Sequence, residues 1–332
     1  MGRHLLSLIL LPVVVFAGCA DTPQDPVSDA ALTSDAVSPD PRDQFIGTWK
    51  LVRVERYDAD DELLPTESGT AGRLGYLMYD GQHMGVVIQQ DGRQPYAGDQ
   101  RTPDEALAAI TSYTSYFGPY TVNEADGYVT HHVEGSLNPR STGGDNQRFY
   151  ELAGDRLLLK PPRGETGIQS HILWEKMPDR GGLTATERQF LGFWAYDHSE
   201  RRTLDGAPLD ANQFGEGYIC YMPAGVMAVH LTRPGRTTYA DARPTPDEAE
   251  AAMRTYASYF GPFTVHADDV DRAYVLHHRT GNLSPNGIGI DAQRFYEFRD
   301  DQLILIPPAA TVDGQAAQSY IHWNRLSSLN LE

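Results

Sequence analysis

Apolar residues recur along Thr102–Pro119, TPDEALAAITSYTSYFGP, at Ala106, Ile110, Tyr113 and Phe117, the i, i+4, i+7, i+11 spacing of one helical face. The stretch returns as Thr245–Pro262, TPDEAEAAMRTYASYFGP, with Ala249, Met253, Tyr256 and Phe260 in the same places. Both ends of each copy carry helix signals. Thr102 and Thr245 stand at the N-cap, Pro103 and Pro246 at the first helical position, and Glu105 and Glu248 three residues after the cap, the pattern of a capping box. Gly118-Pro119 and Gly261-Pro262 are suited to stopping a helix. The spacing therefore predicts a helix over each stretch, with one face packed on something else. A membrane-surface helix is the competing reading, but the polar face has no Lys and, in the second copy, only Arg254.

Around these helices the period changes from helical to two, and the whole pattern occurs twice. Copy one opens at Asp43-Gln44-Phe45-Ile46-Gly47-Thr48-Trp49 and copy two at Arg188-Gln189-Phe190-Leu191-Gly192-Phe193-Trp194. A strand from Trp49 to Arg56 follows, then Gly75–Tyr79 with Met84–Gln89, and in copy two Gly217–Tyr221 with Met227–Leu231, each pair read as a hairpin. After the helix come strands at Tyr120–Asn123, Tyr128–Glu134, Gln147–Leu152, Leu157–Lys160 and Ser170–Lys176. Their counterparts are Phe263–His266, Tyr274–Arg279, Gln293–Phe298, Leu303–Ile306 and Ser319–Arg325. About eight hairpin-connected strands in roughly 130 residues predict an antiparallel barrel whose first strand pairs with its last. All four tryptophans, Trp49, Trp174, Trp194 and Trp323, fall on those first and last strands and are read as barrel-closing. The fold class is therefore all-β: two tandem antiparallel barrels, each with one short helix inserted.

The chain has 332 residues and a formal charge of −18, which argues against nucleic acid as a partner. A solvated surface accounts for the acidity. Arg3-His4 and the apolar run Leu5–Ala17 read as an export signal, too short to span a bilayer with ease. The small residues of Ala17-Gly18-Cys19 resemble the lipobox of bacterial lipoproteins, with Phe16 where an aliphatic residue is usual. That resemblance implies cleavage before Cys19 and diacylation of its sulfur, with the membrane reached through that lipid alone. Ala20 rather than Asp after the cysteine implies the outer membrane by the enteric sorting rule. The alternative is cleavage after Ala20 and a secreted protein. Residues 19–42 are rich in Asp, Pro, Ser and Ala and read as a flexible tether. The organisation expected is a signal peptide at 1–18, that tether, barrel one at 43–177, a linker at 178–187, barrel two at 188–326 and a tail at 327–332. Cys19 and Cys220 are the only cysteines, and Met78 at the position matching Cys220 marks the latter as a buried, inert thiol.

The ordered set Gly-x-Trp, Gly-Tyr, His-His, Gln-Arg-x-Tyr and aliphatic-x-Trp-x-basic, present in both halves, resembles bacterial lipocalin-like domains, and Gly47-x-Trp49 and Gly192-x-Trp194 resemble the lipocalin signature. The resemblance implies a barrel with a ligand lumen. Two features depart from lipocalins proper: the helix lies mid-barrel, and the second lipocalin motif around Thr-Asp-Tyr is missing.

Candidate chemistry concentrates on the strands that repeat. Among eleven histidines only His131-His132 and His277-His278 match between copies, and alternation sends one of each pair inward. His131 shares its face with Val129 and Val133 and is placed inside; His277 shares its face with Val275 but also with Arg279. Gln147-Arg148-Phe149-Tyr150-Glu151 is identical to Gln293-Arg294-Phe295-Tyr296-Glu297, and if the Leu152 face is inner each lumen holds a His, an Arg and a Tyr. Three readings stay open. His131, Arg148 and Tyr150, with His277, Arg294 and Tyr296, could act as acid, base and oxyanion stabilisers. They could orient a bound carboxylate or carbonyl, with Tyr79 and Tyr221 adding to the lumen wall. Or Arg could stack on the Trp at the barrel floor, with His and Tyr as satisfied core groups.

No metal site is expected at the paired histidines, because adjacent strand residues face opposite ways and no ligand-spaced Cys or carboxylate recurs beside them. No cofactor motif is present. The function expected is a membrane-anchored lipoprotein that binds a small apolar or amphipathic ligand. The alternatives are an isomerase, cyclase or hydrolase acting on a hydrophobic substrate, and a structural or interaction module of the cell envelope. Nothing in the sequence bears on oligomeric state.

Overall fold

The computed structural model describes residues 40–65, 72–211, 213–267, 272–312, 314–327 and 329. The export signal, Cys19 and nearly all of the tether lie outside the described residues.

The first copy contributes β1 (Gly47–Tyr57), β2 (Arg73–Tyr79), β3 (His83–Gln90), β4 (Tyr113–Asn123), β5 (Tyr128–His132), β6 (Asp145–Ala153), β7 (Arg156–Lys160) and β8 (Gln169–Lys176). Each pairs antiparallel with the next, and β8 returns to β1, so eight strands close into a barrel. The second copy repeats this with β9 (Gly192–Thr203), β10 (Glu216–Tyr221), β11 (Val226–Thr232), β12 (Tyr256–His266), β13 (Tyr274–His277), β14 (Ala292–Arg299), β15 (Gln302–Ile306) and β16 (Gln315–Ser327). Its seam is β9 on β16. Closure removes sheet edges, which would otherwise leave unpaired backbone groups.

The helices are shorter than their sequence pattern. α1 (Pro103–Thr111) and α3 (Pro246–Arg254) carry the expected capping boxes at Thr102/Glu105 and Thr245/Glu248. They stop before Tyr113 and Tyr256, which open strands. The tail of each stretch is rich in aromatic and hydroxyl residues that suit a pleated, half-buried surface. Ser112 Oγ also donates back to the Ala108 carbonyl at 2.6 Å as the helix ends. Gly118 and Gly261 are therefore strand residues, not helix stops. A Cβ at either would lie 1.9 Å from the carbonyl oxygen of His132 or His278, so only glycine admits this approach. A further short helix, α2 (Ala185–Phe190), leads into the second barrel; its capping box, Thr184 with Glu187, is legible in Thr-x-x-Glu.

Asp40–Glu332 forms one compact unit, and the two barrels meet through a shared core. The contacts are reciprocal, as a pseudo-two-fold axis requires. Tyr76 meets Phe260 edge-on, and Phe117 meets Tyr218, the exchanged pair. Ser115 Oγ donates to Ser258 Oγ at 3.1 Å, and Cys220 Sγ lies 3.2 Å from Met78 Sδ, so two pairs of matching positions touch at the axis itself. Arg93 donates to the carbonyls of Asn282 and Leu283, and Arg236 to those of Ser136 and Leu137. The alternation on β4 has its cause here. Tyr113, Ser115 and Phe117 face the other barrel, while Tyr116, Tyr120 and Val122 face their own lumen.

Candidate functional site

The floor of each barrel is filled. Phe45, from the residues leading into β1, packs edge-on against Tyr79, Tyr120 and Tyr150. Its carbonyl accepts the Trp49 indole N–H at 2.7 Å. Phe190 does the same against Tyr221, Tyr296 and Phe298, and its carbonyl accepts the Trp194 N–H at 2.8 Å. All four tryptophans are buried. The cations over the floor come from the last strand: Lys176 lies over Trp49 and Arg325 over Trp194. In place of the third open reading, Arg148 and Arg294 stacked on these rings, the cation is the basic residue two places after the closing Trp. It can reach because β8 and β16 run directly alongside β1 and β9.

Above the floor sits a histidine held by two tyrosines, in both barrels. His131 is buried on the inner face of β5, with Tyr79 OH 2.7 Å from Nε2 and Tyr116 OH 3.0 Å from Nδ1. His277 is held likewise by Tyr221 OH at 2.8 Å and Tyr259 OH at 2.9 Å. Burial, then the charge of Arg148 or Arg294, pushes both imidazoles well below their usual range, so both are neutral. A neutral imidazole has one N–H and one bare nitrogen. Tyr79 is fully buried with the imidazole as its hydrogen-bond partner, and an unused O–H there would cost about 1–3 kcal/mol. Tyr79 therefore donates to Nε2, and Nδ1–H donates to Tyr116. The Tyr116 oxygen is thereby used as an acceptor and its own O–H is left to point elsewhere.

Tyr116 is half-buried and lines an open cleft of ≈ 750 Å³ together with Asn146 and Arg148 from the first barrel and Tyr239, Arg243 and Pro244 from the second. Burial raises the Tyr116 phenol, with the Arg148 guanidinium hydrogen-bonded to it in opposition. Arg148 also donates to the Gln147 carbonyl at 2.8 Å. The described residues lining this cleft include two arginines and no carboxylate, in a chain of net charge −18. In the second barrel Arg279 lies over the Tyr259 ring, where the first barrel has Val133.

The inner face of β6 and β14 is the expected one, but the expected trio divides. Arg148 sits near His131, whereas Tyr150 lies against Phe45 at the floor and Tyr296 against Phe190. The reason is geometric. Two residues along a strand are about 6.6 Å apart, so Arg148 and Tyr150 occupy different levels of one lumen. Tyr116 and Tyr259 take the second position beside the histidine. Sequence reasoning misses that role because the helical spacing runs on over both residues. The outward His132 bridges Thr121 Oγ1 at 3.0 Å and Asp145 Oδ1 at 2.7 Å, and His278 bridges Thr264 and Asp291 in the same way.

Among solved structures, a protein of unknown function from the DUF3598 family of Nostoc punctiforme is similar at 10% identity over 85% of this chain and 97% of its own, with a TM-score of 0.22. No curated protein matches. The family model for the lipocalin-like domain matches residues 46–177 and again 212–326, and the chain belongs to the lipocalin-like domain family.

Proposed function

We propose that the protein binds a small amphipathic molecule carrying one carboxylate or carbonyl group, held at the mouth of the first barrel. The observation that carries this reading is the Tyr116 phenol set beside the Arg148 guanidinium at the rim of the cleft, its O–H released by the tautomer argued for His131. An O–H and a guanidinium side by side suit a carboxylate, which accepts both. Ile110, Tyr113 and Leu137 supply apolar wall for the rest of the molecule. Ligand sites of this kind are concave and mostly apolar with a few convergent polar groups, and the cleft's size suits a drug-sized ligand.

Holding is favoured over turnover. Both nitrogens of His131 are engaged by tyrosines and its basicity is suppressed, so it orients Tyr116 and has no lone pair to offer a substrate. Isothermal titration with a medium-chain fatty acid and with the matching alcohol tests the reading. Saturable binding of the acid, weakened at least about tenfold by Arg148→Met and by Tyr116→Phe, is expected from the loss of one charge-assisted hydrogen bond. No saturable binding, or binding indifferent to both substitutions, would end it.

The site is presented at the cell envelope on a lipid carried by Cys19, with residues 20–41 as tether; the lipobox-like Ala17-Gly18-Cys19 supports this. Palmitate labelling of the expressed chain, lost in Cys19→Ser, is the expected result, and an unlabelled protein in the culture medium the contrary one.

A further inference from the structure

On the outer face of the second barrel the seam strands β9 and β16 place His198 directly opposite His322. A β-bulge between Tyr196 and His198 turns this part of β9, and the two imidazoles stack at 4.1 Å with 10° between their planes. Glu200, two residues further on the same face, brings Oε1 to 3.6 Å from His198 Nε2. One ligand atom from each of the three residues lies within 4.8 Å of the other two. We propose that His198, Glu200 and His322 form a binding site for a single divalent transition-metal ion of the zinc class.

Two independent features point to a ligand there. The first is an orphan. His322 is only 8% exposed and its Nε2 is buried without a hydrogen-bond partner, which is a costly way to leave a ring nitrogen. The second is the tethering of the far nitrogens. His322 Nδ1 is 3.0 Å from Gln302 Oε1, and His198 Nδ1 is 2.9 Å from Asp197 Oδ2. Both acceptors are oxygens, so each Nδ1 carries the proton and each Nε2 presents a bare lone pair. Metal-binding histidines nearly always use their second N–H in this way, on a carboxylate or carbonyl that fixes tautomer and ring orientation. In a stacked pair tethered along one edge, both Nε2 atoms emerge on the other edge, where Glu200 stands.

The dimensions are compatible. Bonds of about 2.0–2.1 Å in tetrahedral geometry put ligand atoms roughly 3.3 Å apart, close to the His198–Glu200 separation, so a small rotation of the stacked rings completes the set. Two imidazoles and one carboxylate leave a fourth position to water. The neighbouring charges are balanced: Arg202 is paired with Glu200 and Arg299 with Glu297. The first barrel supplies an internal control. At the same register Arg53 faces Leu173, next to an Arg53–Glu55 ion pair, and Val52 and Arg156 stand where Asp197 and Gln302 stand. One ion per chain is the consequence.

The test is equilibrium dialysis and titration calorimetry with zinc chloride, on the full chain without any added histidine tag. One ion per chain is expected, with affinity reduced at least about tenfold in His198→Ala and in Glu200→Gln, both at partly exposed positions that do not threaten folding. Gln302→Ala should cost about 10–100-fold through the ring it orients. Cobalt in place of zinc should give the intense visible bands of a tetrahedral site in the parent and lose them in His198→Ala. No bound ion, or an ion whose affinity and cobalt spectrum ignore His198→Ala and Glu200→Gln, overturns the site and leaves the histidine stack as seam packing alone.

Discussion

Replacing His230 with valine, the residue its counterpart Val87 already is, should make the protein more resistant to acid. His230 is buried between the barrels, with Nδ1 2.8 Å from Ser115 Oγ and Nε2 unpartnered. Burial pushes its pKa from 6.5 down to about 3. A histidine depressed in the folded state binds protons only in the unfolded chain across that window. Stability is therefore complete above about pH 6.5 and is lost as the pH falls towards the folded value. At pH 5 the unfolded state gains RT ln(1 + 10^1.5), about 2 kcal/mol, from this one residue. The figure holds as long as the folded value stays below about 4. His131 and His277 are depressed as well but are present in both proteins and cancel in the comparison.

At pH 8 the same substitution should be nearly neutral. It removes the Nδ1 hydrogen bonds, a short one to Ser115 and a long one of 3.5 Å to Tyr256, together about 0.5–1.5 kcal/mol, and relieves one orphaned buried nitrogen, about 1–3 kcal/mol, while leaving some empty volume. Ser115 keeps Tyr256 and Ser258 as partners. The volume has an owner across the axis. Gly85, matched by Ala228 in the second copy, faces His230 so closely that a Cβ would sit 3.0 Å from Nε2. Gly85→Ala alone should therefore cost about 1–2 kcal/mol by overpacking, and the double substitution should recover most of it. Urea unfolding at pH 8 and pH 5 on all four proteins decides the matter. The reasoning is refuted if the stability difference between His230→Val and the parent is the same at both pH values, or if Gly85→Ala costs as much in the His230→Val background as in the parent.

Two further outcomes follow from the interior. Tyr79→Phe strands a bare nitrogen of the buried His131 and Tyr116→Phe strands its N–H, so each should destabilise by about 1–3 kcal/mol; urea melts showing no loss in either would overturn the paired hydrogen bonds given to His131. The Cys220 thiol, buried and pushed up to about 12, should stay unmodified by Ellman's reagent in native protein lacking Cys19 and react fully in urea; labelling at the same rate in both would refute its burial.

The barrels were legible because their signals are local and doubled. Gly-x-Trp, the capping boxes and the alternation of Gln147–Leu152 each reflect a short-range rule, and the second copy confirms the period. His131 shares a buried face with its apolar neighbours Val129 and Val133, a signal already present in the alternation. What the pattern concealed was competition between rules. Residues Tyr113–Phe117 satisfy a helical spacing and a strand alternation at once, and pairing won, with β3 along the whole stretch and with Gly135–Ser136 at Tyr116 and Phe117. Assigning them to a helix hid Tyr116 and with it the partner of His131. The plug residues Phe45 and Phe190 were visible as a repeated Gln-Phe, but nothing local says that a ring before a strand will turn into the lumen. The interface between the barrels depends on contacts between residues far apart in the chain, such as Tyr113 and Ser258, and a single sequence carries no sign of those.

The two copies differ where a second use of the fold would leave its mark. The elements that close a barrel are shared: the Trp pairs, the ring plug, the Tyr–His–Tyr set and the glycine beneath the His-His carbonyl. The differences fall on surfaces that the closure does not constrain. Val133 against Arg279 alters the mouth, since Arg279 covers Tyr259 while Tyr116 opens on a cleft whose far wall is Tyr239 and Arg243. Arg53 and Leu173 against His198 and His322 alter the seam, at a bulge both barrels possess. A pseudo-symmetric pair fixed by reciprocal arginines can vary each barrel separately at such positions. On this argument the first barrel presents the amphipathic-ligand mouth and the second presents the ion site. The tandem arrangement matters to the first of these, because the wall that makes its mouth a cleft is built by the second barrel.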